Sequence, residues 1–306
     1  MDKKVIVTAA SITSCWGRVE ENLAKVARAA ERAAEDHARL LLLPECCLTG
    51  ADWPTGILTP SVEQVALRIN SPTVRELVRT ARRTGVVVVA GLYERRGERL
   101  CVSQVLASPK GIAGVYRKVH QGSQSSFERR LFPVFDLGFA KVGVSVCYDN
   151  MFPECARILA LNGAELLLAP FTSLPLTRRA WRLERLVPLR ARAADSHVFV
   201  LSASHAQGHV RGRPSEWGYS GICCAVNPLG EVMGESTGQV GMPQRLTVAM
   251  ESILLRTYLL ADVPSMRSRR AADYAALADA RLQQAYLKQA PPLGDVYRAN
   301  RCVAPE

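Results

Sequence analysis

The chain has 306 residues, of which 48% are hydrophobic and 22% charged, and it carries a net charge of +11. Such values belong to a globular protein with room for a sizeable core, and they exclude disordered and collagen-like classes. The positive charge is spread along the chain, densest at Arg178 to Arg192 and Arg267 to Arg270. No aromatic-interleaved basic stripe accompanies it, so no nucleic-acid partner is expected.

In chain order, strand and helix patterns alternate. Lys3 to Ala10 reads as a strand, with no signal-peptide pattern at the start. Val19 to His37 reads as an amphipathic helix, with Leu23, Val26 and Ala30 near helical spacing. Leu40 to Leu43 is a buried strand ended by Pro44. Ser71-Pro72 opens a helix that runs to Arg83, with Gly85 as its stop. Val86 to Ala90 is the next strand. Leu100 to Ala107 and Ile112 to Arg117 form a hairpin about Ser108-Pro109-Lys110-Gly111. Val142 to Val146, Glu165 to Ala169, His197 to Ala203 and Gly221 to Asn227 are further strands. Helices are expected at Pro153 to Asn162, at Arg178 to Ala194 and in the tail from Asp273 to Lys288. The alternation, with added hairpins, points to layered α/β architecture. No uncharged apolar run is long enough to span a bilayer, so no membrane partner is expected.

Nine cysteines occur, an odd number without a C-x-x-C pair, and reduced thiols in a cytoplasmic protein are the simplest reading. The histidines at 37, 120, 197, 205 and 209 lack metal-ligand spacing. His205 and His209 lie four apart without the glutamate of an HExxH motif. No metal site and no cofactor are expected.

Three segments carry candidate chemistry. Leu40 to Glu45 ends a buried strand in a carboxylate, which also reads as a helix-start or surface charge. Val115 to His120 ends a hairpin strand at Lys118, which also reads as a solvated lysine. Lys141 to Arg157 runs from an apolar strand into Cys147, with a helix starting at Pro153. A strand-turn-helix corner presents a side chain sharply and leaves backbone N–H groups free for an anion.

Together the segments resemble the nitrilase superfamily of carbon–nitrogen hydrolases. The matching pieces are Leu42 to Glu45 (LLPE), Tyr116 to His120 (YRKVH) and Val142 to Arg157 (VGVSVCYDNMFPECAR). Asn162 to Pro170 (NGAELLLAP) and Asn227 to Val232 (NPLGEV) follow in order. The resemblance implies a four-layer α-β-β-α sandwich over residues 1–275. The tail 276–306, helical and then Pro-rich, is read separately as a candidate oligomerisation arm. The resemblance also implies Glu45 as general base, Lys118 as oxyanion stabiliser and Cys147 as nucleophile, with Glu128 as a second glutamate between Lys118 and Cys147. Tyr148, Phe171 and Thr172 would line the substrate site, and a homodimer or larger homo-oligomer is expected.

Some residues depart from the family pattern. Phe132-Pro133-Val134-Phe135 runs straight on where the family has F-x-P-G, which puts the loop near Glu128 in question, and Ser11 stands where a Gln is common. Nitrile-hydrolysing branches usually show Cys-Trp-Glu. Cys147-Tyr148-Asp149 looks more like the amidase and carbamoylase branches, so the expected substrate is a small amide or ureido (N-carbamoyl) compound. Two rivals remain. A serine hydrolase would want G-x-S-x-G, which Gly143-Val-Ser145-Val-Cys147 and Gly218-Tyr-Ser220-Gly221 both miss. A non-catalytic relative would have lost a triad residue, and all three are present.

Overall fold

A computed structural model describes residues 1–50, 60–121, 124–125, 132–172, 178–210, 213–218, 221–237, 242–252, 269–282 and 284. Strand β1 (Lys4–Ala10), helix α1 (Val19–Glu35) and strand β2 (Leu40–Leu42) open the chain. A single turn, α2 (Val62–Val65), precedes α3 (Pro72–Thr84). Three long strands follow, β3 (Val87–Arg96), β4 (Arg99–Ser108) and β5 (Gly111–Arg117). After a small hairpin, β6 (His120–Gln121) and β7 (Gln124–Ser125), come β8 (Val134–Asp136) and β9 (Lys141–Val144). A 3-10 turn (Cys147–Met151) leads into α4 (Pro153–Leu161) and β10 (Leu166–Phe171). One helical stretch then joins α5 (Arg178–Trp181), a π turn (Arg182–Leu186) and α6 (Val187–Ser196). The remaining strands are β11 (Phe199–Ser204), the hairpin β12 (Gln207–Val210) with β13 (Arg213–Gly218), β14 (Cys224–Val226), β15 (Val232–Glu235) and β16 (Arg245–Glu251).

The strands build two six-stranded sheets, ordered β16-β1-β2-β3-β4-β5 and β15-β14-β11-β10-β9-β8. Each has a parallel trio inside antiparallel flanks: β1-β2-β3 in the first and β9-β10-β11 in the second. Residues alternate between faces along a strand, and here both faces are buried, as parallel strands require. Leu40, Leu42, Val87 and Val89 turn into the core shared with the second sheet. Leu41, Leu43, Val88 and Ala90 turn the other way, onto Val26, Ala30 and Ala33 of α1 and Val74, Leu77 and Ala81 of α3. Cys155, Ala156 and Leu159 of α4 and Leu189 and Ala193 of α6 cover the far face of the second sheet. This is the expected α-β-β-α sandwich.

Local signals behave as read. Ser71 accepts the Val74 N–H and caps α3, and Gly85 ends it in the left-handed region at φ 73°. Where strands were missed or shortened, burial of polar residues or position at a sheet edge explains it. β3 runs on past Ala90 to Arg96 because Glu94, polar in sequence, is buried against Arg117 and Ser103 of neighbouring strands. β8, β15 and β16 were not predicted; β8 and β15 are short edge strands, and all three are only partly buried.

The chain divides into two compact units, Met1–Ala261 and Asp262–Glu306. In the second, Ala271–Ala278 forms a 3-10 helix where an α-helix was expected. Its residues are all exposed, so no packing stabilises an α-helical register. Among the described residues no helix is long and apolar enough to cross a membrane.

Candidate active site

The strand ends described above converge at one edge of the sandwich. β2 stops at Leu42, and Pro44 closes it. The chain then turns tightly through Glu45 and Cys46, the latter at φ 54°. That turn lies directly against Gly91 of β3: a Cβ there would sit 2.3 Å from the Cys46 nitrogen and 2.9 Å from the Glu45 carbonyl carbon. Only glycine permits this approach. From behind, His205, fully buried just past β11, donates its Nε2–H to the Glu45 carbonyl oxygen at 2.6 Å.

The Glu45 carboxylate is 4% exposed and faces the other way. Its Oε1 accepts from the Lys118 ammonium at 2.7 Å, and its Oε2 accepts the Thr172 backbone N–H at 2.9 Å. Burial alone would raise its pKa. The Lys118 charge and hydrogen bond, with the Thr172 bond, more than offset this and hold the carboxyl below its ordinary value. Burial likewise works against the Lys118 charge, yet Glu45 keeps the ammonium above its usual range. The pair is a buried ion pair in the charged state.

Cys147 ends the run from β9 at φ 48°, a left-handed conformation that is uncommon outside glycine and often marks a functional turn. The residue is half-buried, and its Sγ lies 3.7 Å from the Thr172 carbonyl oxygen. Thr172 thus touches both Glu45 and Cys147 through its backbone. Burial, the adjacent Glu45 charge and a hydrogen bond to Glu45 push the Cys147 thiol up to about 12, against the opposing charges of Lys118 and Arg185. The resting site therefore holds a thiol, a carboxylate and an ammonium.

A second carboxylate locks these pieces together. Asp149, fully buried in the turn after Cys147, accepts from five donors. They are the Tyr116 hydroxyl (2.8 Å), the Val119 N–H (3.4 Å), the His120 N–H (2.9 Å), His120 Nδ1 (2.8 Å) and the Val146 N–H (3.3 Å). Four belong to the segment that carries Lys118 and the fifth to the elbow itself. The His120 ring also stacks on Phe152 at 3.8 Å. On the other side Asn150 Nδ2 donates to the Ser145 and Cys147 carbonyls, and Arg192 of α6 donates to the Asn150 and Met151 carbonyls. Asp149 thus braces the elbow and ties it to the segment that carries Lys118.

Of the predicted site residues, Glu45, Lys118, Cys147 and Thr172 come together. Tyr148 stands 53% exposed beside the elbow, edge-on to Phe152. Phe171 ends β10 and is buried beneath the Arg185 guanidinium. Glu128 lies outside the described residues. His205 was considered only as a metal ligand, and its link to Glu45 was missed. Among the described residues no cluster of His, Cys, Asp and Glu could hold a metal ion. A cavity of about 840 Å³ opens around Arg39, Lys110 and Phe139, away from this chemistry.

The carbon-nitrogen hydrolase family model matches residues 6–242. A protein named nitrilase from Pyrococcus abyssi is 34% identical over 234 residues, covering 74% of this chain and 83% of the relative. The omega-amidase NIT2 of Danio rerio is 29% identical over 231 residues, covering 71% and 78%. Among solved structures, an amidase from Nesterenkonia sp. superposes with a TM-score of 0.69 at 26% identity, covering 89% of this chain and 96% of its own. A variant of that amidase carries acrylamide added at its active-site cysteine. With the two-sheet architecture and the Glu45-Lys118-Cys147 cluster in place, the chain belongs to the carbon-nitrogen hydrolase family of the nitrilase superfamily.

Proposed function

We propose that the chain hydrolyses a linear amide or N-carbamoyl compound, with Cys147 as nucleophile, through a thioester. The observation that carries this reading is the single cluster in which Glu45 binds Lys118 while Thr172 touches both Glu45 and Cys147. Because the thiol rests protonated, attack needs a base at the moment of reaction. Glu45, held ionised, takes the Cys147 proton as the sulfur attacks the carbonyl carbon. The oxyanion that forms is met by the Lys118 ammonium and the Tyr148 backbone N–H, an effect of about 3 kcal/mol per donor. Glu45 passes the proton to the leaving nitrogen, ammonia departs, and the acyl group stays on sulfur. Glu45 then deprotonates a water, which attacks the thioester. The acid is released and the Cys147 sulfur recovers its proton. Glu128 would orient Lys118 or the substrate amide.

The decisive experiment is a product assay on a panel of amides, N-carbamoyl amines and nitriles, with wild type beside Cys147→Ala. Ammonia with an acid marks an amide, and ammonia with carbon dioxide marks an N-carbamoyl substrate. Turnover must vanish in Cys147→Ala with the fold intact. A wild-type protein inert to the whole panel would favour a non-catalytic role. A nitrile substrate is the second reading, favoured by the name of the Pyrococcus abyssi relative, and the same panel distinguishes it. We also propose that the tail 276–306 acts as a subunit arm. Light scattering of a chain truncated after Asp273 tests this, and an unchanged native size would refute it.

A further inference from the structure

The backbone carbonyls around Glu45 are held by donors from two sources. The Leu43 carbonyl accepts from Gln104 Nε2 of β4 at 3.0 Å. The Cys46 carbonyl accepts the Gly50 N–H at 2.8 Å, and the Cys47 carbonyl accepts the Ser14 hydroxyl at 2.9 Å. These donors all belong to the first sheet or to the loops that leave it. The Glu45 carbonyl is different. Among the described residues its donor is His205 Nε2, at 2.6 Å, and His205 stands one residue past β11 of the second sheet.

A leucine or methionine could fill the volume of this fully buried imidazole without desolvating a polar ring. What an apolar side chain cannot supply is an N–H aimed at a carbonyl. The ring is also anchored. The next residue, Ala206, donates its N–H to the Ile12 carbonyl at 3.2 Å, in the loop after β1. Gly221, at φ 60°, lies against that backbone, and a Cβ on it would sit 3.1 Å from the Ala206 Cα. His205 is therefore a fixed donor, built into the end of one sheet and aimed at a turn on the other.

The peptide that it grips is strained. Cys46 follows Glu45 at φ 54°, where an L side chain crowds its own backbone. A turn left to itself relaxes by rotating the Glu45–Cys46 peptide plane, which swings the Glu45 carbonyl away. The His205 bond opposes that rotation, because it exists only while the carbonyl points at the ring. Strain of this kind persists where the surroundings over-determine it.

The side chain of Glu45 depends on this backbone. Its carboxylate meets the Lys118 ammonium, the Thr172 N–H and the Cys147 thiol together. A shift of about an ångström at the Glu45 backbone breaks that threefold fit, and proton transfer falls steeply with such misplacement.

We propose that His205 is a positioning residue for the reaction: its Nε2–H pins the strained Glu45–Cys46 peptide and so keeps the Glu45 carboxylate aimed at the Cys147 sulfur. Being fully buried, it acts through Glu45 and not on the substrate. The inference rests on Glu45 acting as the base, as in the reading above, and adds the residue that holds the base in place.

The test replaces His205 by Leu, which fills space without a donor, and by Gln, whose amide nitrogen can stand near Nε2 and donate instead. The main readout is the rate of iodoacetamide labelling of Cys147 from about pH 6 to about pH 9, followed by peptide mass mapping so that other thiols are counted apart. Wild type should label at a rate level with pH, because ionised Glu45 takes the proton. His205→Leu should label at least about 10-fold more slowly near neutral pH, with a rate that climbs with pH as solvent base takes over from Glu45. Glu45→Gln should climb in the same way and mark the limit of the effect. His205→Gln should stay level and within about 3-fold of wild type. On an amide that wild type turns over, the loss in His205→Leu should fall on kcat, with KM changed by less than about 3-fold.

A purely structural role would lower thermal stability and leave the pH profile level. If His205→Leu does not fold, His205→Asn replaces it: its amide stops short of the carbonyl, and the same climbing profile is expected. A level profile in the folded Leu or Asn variant overturns the proposal, as does a Gln variant that labels no faster than Leu. If wild-type labelling itself climbs with pH, Glu45 is not the base and the proposal falls with it. If wild type turns over no amide while labelling behaves as expected, the amide-hydrolase reading fails and the role of His205 stands.

Discussion

Glu45 and Asp149 are both buried carboxylates at the same sheet edge, and they differ in which donors surround them. An ionised carboxylate offers about four acceptor positions. Glu45 accepts on both oxygens, from Lys118 and Thr172, and also stands within hydrogen-bonding reach of the Cys147 thiol. Asp149 is saturated by five donors, drawn from the Lys118 segment and the elbow. In the proposed reaction the thiol beside Glu45 is the donor whose proton it takes. Asp149 has no such neighbour among its hydrogen-bond donors and holds two chain segments in register. The difference between a working carboxylate and a holding one lies in the donors around it, not in the residue type.

The contrast can be broken most directly at Glu45. Glu45→Gln keeps the shape and removes the base, so kcat should fall by roughly 10²- to 10⁴-fold. A steady-state assay that finds activity within a few-fold of wild type would remove Glu45 from the chemistry. Asp149→Asn should act in the opposite sense, on the frame more than on the reaction. It places an amide NH₂ against donors, and the loss of charge-assisted bonds amounts to about 2 kcal/mol, or roughly 4–8 °C in Tm for a unit of this size. Activity should fall about 10-fold as Lys118 and Cys147 lose register. Calorimetry showing an unchanged Tm would refute the holding role.

The smallest effect expected is in pH dependence. Glu45 has a lowered pKa, so its charged form persists through neutral pH and is lost only as pH falls through that value, below the ordinary 4.5. The thiol at about 12 and the raised Lys118 do not titrate near neutrality. The profile of kcat/KM should therefore be level from about pH 6 to pH 9, with a single acid limb below the ordinary carboxylate range. A limb near pH 7 would mean that some other group controls the reaction.

Much of the fold was legible because its signals are local. The Ser71-Pro72 start and Gly85 stop of α3 are set by capping and backbone sterics, and the run Leu40 to Leu43 reports a strand buried on both faces. The elbow at Cys147 was legible as a strand-turn-helix corner. What escaped was non-local. Nothing near Glu94 in sequence says that Arg117 will pair with it, so β3 was read too short. His205 acts on a backbone carbonyl 160 residues away, and Asp149 on side chains about thirty residues back. Arg185 reads in sequence only as one of a cluster of arginines, because its place over the Phe171 ring is a property of the folded chain. Pro188 was the one local sign of the π turn.

The repeated parallel trios have a final consequence. The base and the ammonium hang from one sheet and the sulfur from the other, and they meet only across the seam where the two layers press together. A chain with only one sheet assembled therefore holds only part of the cluster, and the sulfur meets its carboxylate neighbour only where the two layers are joined.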